Sequence, residues 1–155
     1  MIDAEQFVRA VEAASHSMYR AALILLHSEA DAKDAVCDAI EAAWRRRESI
    51  RAVEALPAYL IRCAVNAAHH QLRRLRRIVP LEPLADTLST SESDPIWFYL
   101  SGLKEKYRLP LLLRYGEGMR EQEAARVLGV SRGTVSSLIS RGLKQLRTAM
   151  EEEAR

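Results

Sequence analysis

At 155 residues, the chain is long enough for one ordinary domain or two small ones. Its composition, 48% apolar and 28% charged, is that of a globular protein rather than a disordered one. The longest apolar run, Ala21 to Leu26, falls far short of the roughly 20 residues needed to span a bilayer. A net charge of +2 argues against indiscriminate polyanion binding, but the charge is unevenly spread. Residues 1–77 hold 12 Lys and Arg against 10 Asp and Glu; residues 78–94 hold no cation and 4 carboxylates; residues 95–155 hold 11 cations and 7 carboxylates. Two weakly basic blocks therefore flank an acidic bridge. The first residues are acidic and polar, so neither a signal peptide nor stable membrane insertion is expected, and cytoplasmic residence follows. Cys37 and Cys63 sit in helical, apolar surroundings without a CxxC or zinc-like spacing, which reads as two reduced core thiols.

Taken in chain order, nearly every segment reads as helix: only 6 Gly occur and no strand-like alternation appears. Asp3 is placed to cap a first helix. A second helix is predicted from Asp31 to about Arg47, with Val36, Ala39, Ile40, Ala43 and Trp44 as its buried stripe. Its other side carries Asp34, Asp38 and Glu41, like charges at helical spacing that cost an isolated helix about 0.2–0.5 kcal/mol per pair. Such a face is either built for a basic partner or simply solvated, with Glu41 paired to Arg45.

Pro57 suits the first turn of a third helix reaching about Arg77, with Ile61, Val65, Ala68, Leu72 and Leu75 as its core stripe. Arg62, Asn66, His69, Arg73 and Arg77 recur on another face. Arg side chains there suit phosphates and an Asn suits a base edge, although an Arg-rich helix end also complements the helix dipole. Residues 78–94, with Pro80, Pro83 and a Thr/Ser/Asp/Glu-rich second half, read as a flexible linker. Its 17 residues reach about 58 Å at roughly 3.4 Å each, more than one turn of B-DNA.

Asp94-Pro95 reads as a cap and first helical residue. Further on, Glu121 to Leu128 is a short helix, Gly129 a turn, and Ser131 the cap of a helix running to about Met150. Ala125 provides a small crossing residue, and Val130, Val135, Leu138 and Ile139 provide packing: a helix-turn-helix. The outward face of its second helix carries Arg132, Thr134, Ser136, Ser137, Ser140, Arg141 and Lys144, hydroxyl and basic groups suited to a major groove. The expected fold is all-α: two small helical domains, 1–77 and 95–155, joined by a linker.

At this point the chain resembles the extracytoplasmic-function group of bacterial sigma factors. Ala30 to Ile40, followed by Ala43-Trp44-Arg45, resembles the family's core-polymerase-binding helix. Tyr59 to Asn66 resembles its promoter-melting and −10 segment. Leu111 to Gly118, then Glu123-Ala124-Ala125, Leu128 to Ser131, Gly133-Thr134-Val135 and Ser140-Arg141, resembles its −35-binding helix-turn-helix. The resemblance implies that Asp34, Asp38 and Glu41 dock on core RNA polymerase and that Arg62, Asn66, His69, Arg73 and Arg77 face the −10 element. It implies that the face from Arg132 to Lys144 reads the −35 element, and that the loop Glu48 to Leu56 captures an unstacked base. It further implies an anti-sigma partner and a protein that is monomeric when free. The sequence departs from the family pattern at Cys37 and Asp38, Tyr59, His70, Leu138 and Leu143; Pro110 lies within a helical stretch, where the family tolerates proline, and the loop lacks an aromatic residue. The competing reading is a dimeric helix-turn-helix regulator that does not bind core polymerase. No paired catalytic carboxylates, Gly-rich phosphate loop or metal motif points to an enzyme or a cofactor.

Overall fold

The computed structural model describes the backbone of residues 1–78 and 95–154, and the side chains of residues 1–75 and 97–154. The expected linker from residue 79 to Asp94, including Asp94 as a cap, lies outside the described residues, as does the side chain of Arg77. The chain is all-α and divides into two compact units, Met1–Pro83 and Leu84–Arg155.

The first unit packs three helices against one another: α1 (Ala4–Leu26), α2 (Glu29–Arg45) and α3 (Leu56–Ile78). Asp3 starts α1 with a reciprocal cap: its carboxylate accepts from the Gln6 N–H at 2.8 Å and its own N–H donates to Gln6 Oε1 at 3.0 Å. The last six residues of α1, Ala21–Leu26, are all buried. The helix ends where His27 turns left-handed (φ 55°) and its N–H returns to the Leu23 carbonyl. The second helix starts earlier than expected, because Ser28 rather than Asp31 is the cap; the Ser28 hydroxyl accepts from the Asp31 N–H at 3.2 Å. It also ends two residues sooner, at Arg45.

The buried face of α2 differs from the predicted stripe. Ala39 and Ala43 are buried as expected and are joined by Ala32 and Ala35, while Val36, Ile40 and Trp44 are only half-buried. Alanines let the backbones of neighbouring helices come close, so the larger side chains flank the contact. In α3, Ile61, Val65, Ala68 and Leu72 are buried as expected, together with Leu56, Leu60 and Ala64, but Leu75 is exposed. Full burial of a Leu or Ile contributes about 1.5–3 kcal/mol, so Leu23, Ile24, Leu56 and Leu60 dominate this core. The cysteines are not core residues: Cys37 is exposed and Cys63 half-buried.

The second unit contains α4 (Pro95–Ser101), α5 (Glu105–Leu111), α6 (Glu121–Leu128) and α7 (Arg132–Glu153). Pro110 does not break α5. It lies inside the helix, and the chain continues into a wider π turn, Leu112–Gly116, closed by the Glu117 N–H on the Leu112 carbonyl at 2.9 Å. Arg108 is 2% exposed. Its Nε donates to the carbonyls of Leu100 (3.1 Å) and Leu103 (3.0 Å), and its Nη2 to that of Ser101 (3.2 Å). One guanidinium thereby satisfies the carbonyl end of α4 and the turn into α5. The last helix runs to Glu153, past the expected end at Met150, and packs on α5 and α6.

Candidate nucleic-acid interface

The helix-turn-helix is built as its sequence requires. At Gly129 the backbone is left-handed (φ 70°), and its N–H and that of Val130 both turn back to the Ala125 carbonyl. Ala124, Ala125, Val127, Val135 and Ile139 are buried between α6 and α7, while Leu138 is half-buried. Val130 is 41% exposed and does not join that packing, a correction to its expected role: it stands outside the crossing, on the turn itself. Ser131 caps α7, its hydroxyl accepting from the Thr134 N–H at 3.1 Å and lying 2.9 Å from the Thr134 hydroxyl.

All seven residues expected on the recognition face, Arg132, Thr134, Ser136, Ser137, Ser140, Arg141 and Lys144, are exposed. They are not equivalent. With 3.6 residues per turn, Ser137, Ser140, Arg141 and Lys144 lie on the side away from buried Val135 and Ile139. Arg132 lies to one flank, with its Nε 3.9 Å from a Glu121 carboxylate oxygen, and Thr134 takes part in the cap. The outermost surface is therefore two serines and two cations.

In the first unit, Arg62, Asn66, His69 and Arg73 stand at i, i+4, i+7 and i+11 of α3, a single row opposite buried Ala64 and Ala68. Arg62, Asn66 and Arg73 are exposed and His69 is half-buried. On α2, Asp34, Asp38 and Glu41 are exposed, and Glu41 is paired with Arg45. The acidic face does not stand apart from the basic helix. A groove of about 380 Å³ is lined by Asp31, Asp34, Cys37 and Asp38 from α2 and by His70, Gln71, Arg74 and Leu75 from α3. Arg74 of the adjoining helix therefore borders the carboxylates, a relation that spacing along one helix cannot reveal.

Between α2 and α3 the chain makes two short 3-10 turns, Arg47–Ser49 and Val53–Ala55. Its base is anchored: the Arg47 guanidinium stacks 3.8 Å from the Trp44 ring and donates to the Trp44 carbonyl at 2.9 Å, while Phe7 meets the same ring edge-on. Its tip, Arg51 to Ala55, is exposed. Burial raises the Cys63 thiol above its ordinary range, partly countered by its hydrogen bond with Tyr59 and by Arg46 and Arg62. Burial and the neighbouring Cys63 raise the Tyr59 hydroxyl as well. Both groups therefore stay neutral at physiological pH. Among the described residues, no group of three or more His, Cys, Asp or Glu is placed to hold a metal ion, and no helix is long and apolar enough to cross a membrane.

Two family profiles match the chain, one described as Sigma-70 region 2 over residues 9–78 and one as Sigma-70, region 4 over residues 93–146. The sequence is 30% identical over 154 residues to the RNA polymerase sigma-E factor of Streptomyces coelicolor, covering 95% of this chain and 85% of that protein. It is 32% identical over 135 residues to the ECF RNA polymerase sigma factor SigM of Mycobacterium tuberculosis, covering 83% and 69%. Among solved structures, the fold is similar to that of the sigma factor RpoE in complex with the anti-sigma factor NepR from Bartonella quintana, with a TM-score of 0.74 at 21% identity over 94% of this chain and 96% of that one. It is also similar to CnrH in complex with the cytosolic domain of CnrY, with a TM-score of 0.64 at 23% identity over 94% and 88%.

Proposed function

The chain belongs to the extracytoplasmic-function sigma factors of the sigma-70 family, and from that premise we propose that it binds core RNA polymerase and directs promoter-specific initiation. In this reading Asp34, Asp38 and Glu41 dock on the polymerase, and residues 1–77 form the region 2-like domain. The row Arg62, Asn66, His69, Arg73 and Arg77 faces the −10 element. Residues 95–155 form the region 4-like domain, whose α7 presents Arg132, Thr134, Ser136, Ser137, Ser140, Arg141 and Lys144 to the −35 element. The linker 78–94 lets the two contact separate DNA elements.

The observation that carries the reading is the exposed surface of α7 on a helix-turn-helix, with small hydroxyl groups next to Arg141 and Lys144. Serines let the helix approach base edges, and the cations meet phosphate or guanine. The row on α3 adds a second basic surface with an amide at its centre. Opening the strands needs single-stranded bases held in pockets, for which the tip of the loop Glu48 to Leu56 is the proposed site. An anti-sigma partner and cytoplasmic residence belong to the same proposal; the solved structures of similar fold are each described with a protein partner.

The test is co-elution of the purified chain with bacterial core polymerase. Binding that is lost in Asp38→Arg supports the docking face. In the assembled holoenzyme, Arg141→Ala should weaken promoter binding by about 1–3 kcal/mol, or about five- to 150-fold, if it reads a base. A folded chain that ignores core polymerase and elutes as a dimer would instead be a helix-turn-helix regulator reading two half-sites.

A further inference from the structure

The second unit holds a groove of about 590 Å³ that the recognition face alone does not account for. One wall is the later part of α7, with Arg141, Lys144, Gln145, Thr148 and Glu152; the other is the turn between α4 and α5, with Gly102, Lys104 and Tyr107. Three cations from two separate elements converge there. Lys104, Arg141 and Lys144 are all exposed, and no ion pair joins any of them to an acidic side chain among the described residues.

The groove is held in shape from behind. The Gln145 side chain accepts from the Lys104 backbone N–H at 3.1 Å, tying the turn to α7. Leu103 and Tyr107, on either side of Lys104, are buried. At Gly142 an added Cβ would lie 2.9 Å from Leu111 Cδ1 and 3.1 Å from Tyr107 Cβ, so α7 runs close against α5 at this point. That closeness is what brings Lys104 beside a helix 37 residues away along the chain.

We propose that Lys104 completes a track for the DNA backbone that begins at the recognition face and continues along the groove beside Arg141, Lys144 and Thr148. The inference rests on the reading of α7 as the −35 helix. Arg141 belongs both to that face and to the groove, so the two surfaces are continuous. From Arg141 to Thr148 the helix rises about 10 Å, about three nucleotide steps of one strand. Lys104 is a point charge on a flexible stem, suited to a phosphate rather than to a base edge. Glu152, with Glu151 and Glu153 beside it, ends the track by placing negative charge where a further phosphate would come.

A phosphate contact has a signature different from that of a base contact. Promoter affinity of the holoenzyme is measured against salt concentration for the unaltered chain, Lys104→Gln and Arg141→Ala, on the promoter and on a copy with an altered −35 sequence. Lys104→Gln should weaken binding about fivefold near 0.15 M salt, by the same factor on both DNAs, and reduce the log–log salt slope by about one. Thr148→Glu, which places a carboxylate in the groove without touching Lys104, should weaken binding in the same sequence-independent way. An unchanged slope in Lys104→Gln overturns the inference. So does a loss confined to core-polymerase affinity, which would make the groove a protein contact. If Arg141→Ala is also without effect, the reading of α7 itself has failed; if Arg141→Ala weakens binding while Lys104→Gln does not, only the track has.

Discussion

Replacing Arg108 by Met removes the guanidinium while keeping an unbranched, apolar stem in its place. The carbonyls of Ser101 and Leu103 lose the donor that Arg108 gives them, while that of Leu100 keeps the Leu103 N–H at 3.1 Å. A buried acceptor left without a partner costs about 1–3 kcal/mol. Part of that loss is offset because a 2%-exposed cation is no longer held away from water, a relief of several kcal/mol in the unpaired limit. A net cost of about 2 kcal/mol remains, within the usual span for a substitution that leaves buried polar groups unpaired. For a unit of this size, each kcal/mol shifts the melting midpoint by about 4–8 °C, so the second unit should melt about 8–16 °C lower. Calorimetry of the full chain, with hydrogen exchange followed at the amides of α4 and α5, separates this loss from any change in the first unit. Arg108→Lys should rescue little, since one ammonium cannot reproduce the fork that meets three carbonyls. A midpoint within 2 °C or so of the unaltered chain would refute the reasoning: the bonds would then contribute no more than solvent does.

Two glycines of the second unit should respond for opposite reasons. Gly142→Ala gains helix propensity of about 1 kcal/mol but drives a methyl to within 3.1 Å of Tyr107 Cβ, and overpacking of about 1–3 kcal/mol should leave a small net destabilisation in urea titration. At Gly129 the space is open but φ is +70°, so Ala should cost about 1 kcal/mol through backbone strain alone, read in the same titration. The two thiols should separate in alkylation followed by mass spectrometry. Exposed Cys37 should react first with iodoacetamide, and half-buried Cys63, whose thiol is raised by burial, about tenfold more slowly at pH 8. Because the folded Cys63 holds its proton more tightly than the unfolded chain does, its contribution to stability is present below the ordinary thiol value. It is lost as pH rises from there through the raised one, so Cys63→Ser should flatten the alkaline limb of a stability–pH profile.

Local chemistry made much of this fold legible. Asp3 with Gln6, Pro57 near the start of α3, Gly129 and Ser131 each mark an end of a helix by a bond or dihedral that short sequence spacing encodes. The misreadings share a different cause. Periodicity picked Ala39 and Ala43 correctly but added Val36, Ile40 and Trp44 to the core of α2, whereas close approach of α2 to its neighbours selects Ala32 and Ala35 instead. Trp44 finds its cover from Phe7 on α1 and from Arg47 beyond the helix end. The burial of Arg108 leaves no trace in the sequence, because only the folded chain places the carbonyls of Leu100, Ser101 and Leu103 around it. Lys104 escaped notice for the same reason: nothing near it in sequence belongs to the helix-turn-helix, and its nearness to Arg141 follows from the contact that Gly142 permits.

The charge arrangement also bears on why promoter binding would belong to the holoenzyme rather than to the free subunit. On α7, Arg141 and Lys144 lie opposite the packed face with Lys104 beside them, while Arg132 stands on the flank 3.9 Å from a Glu121 carboxylate oxygen. Three phosphates neutralised give a salt slope of about −3, shallow beside the six to ten contacts of a protein that holds duplex DNA alone. The acidic α2 works against DNA as well: Asp34 and Asp38 border the same groove as Arg74, so the field of the first unit is partly cancelled at that edge. Docking α2 on a basic polymerase surface would cover those carboxylates and leave the row on α3 to face DNA with less opposition. On this argument Asp34→Asn with Asp38→Asn should raise the affinity of the free chain for DNA while lowering its affinity for core polymerase. Electrophoretic mobility of a labelled promoter fragment, with and without core, reads both. If the double variant leaves free-chain binding where it was, the carboxylates do not restrain α3, and the weakness of the free subunit lies in its small number of phosphate contacts alone.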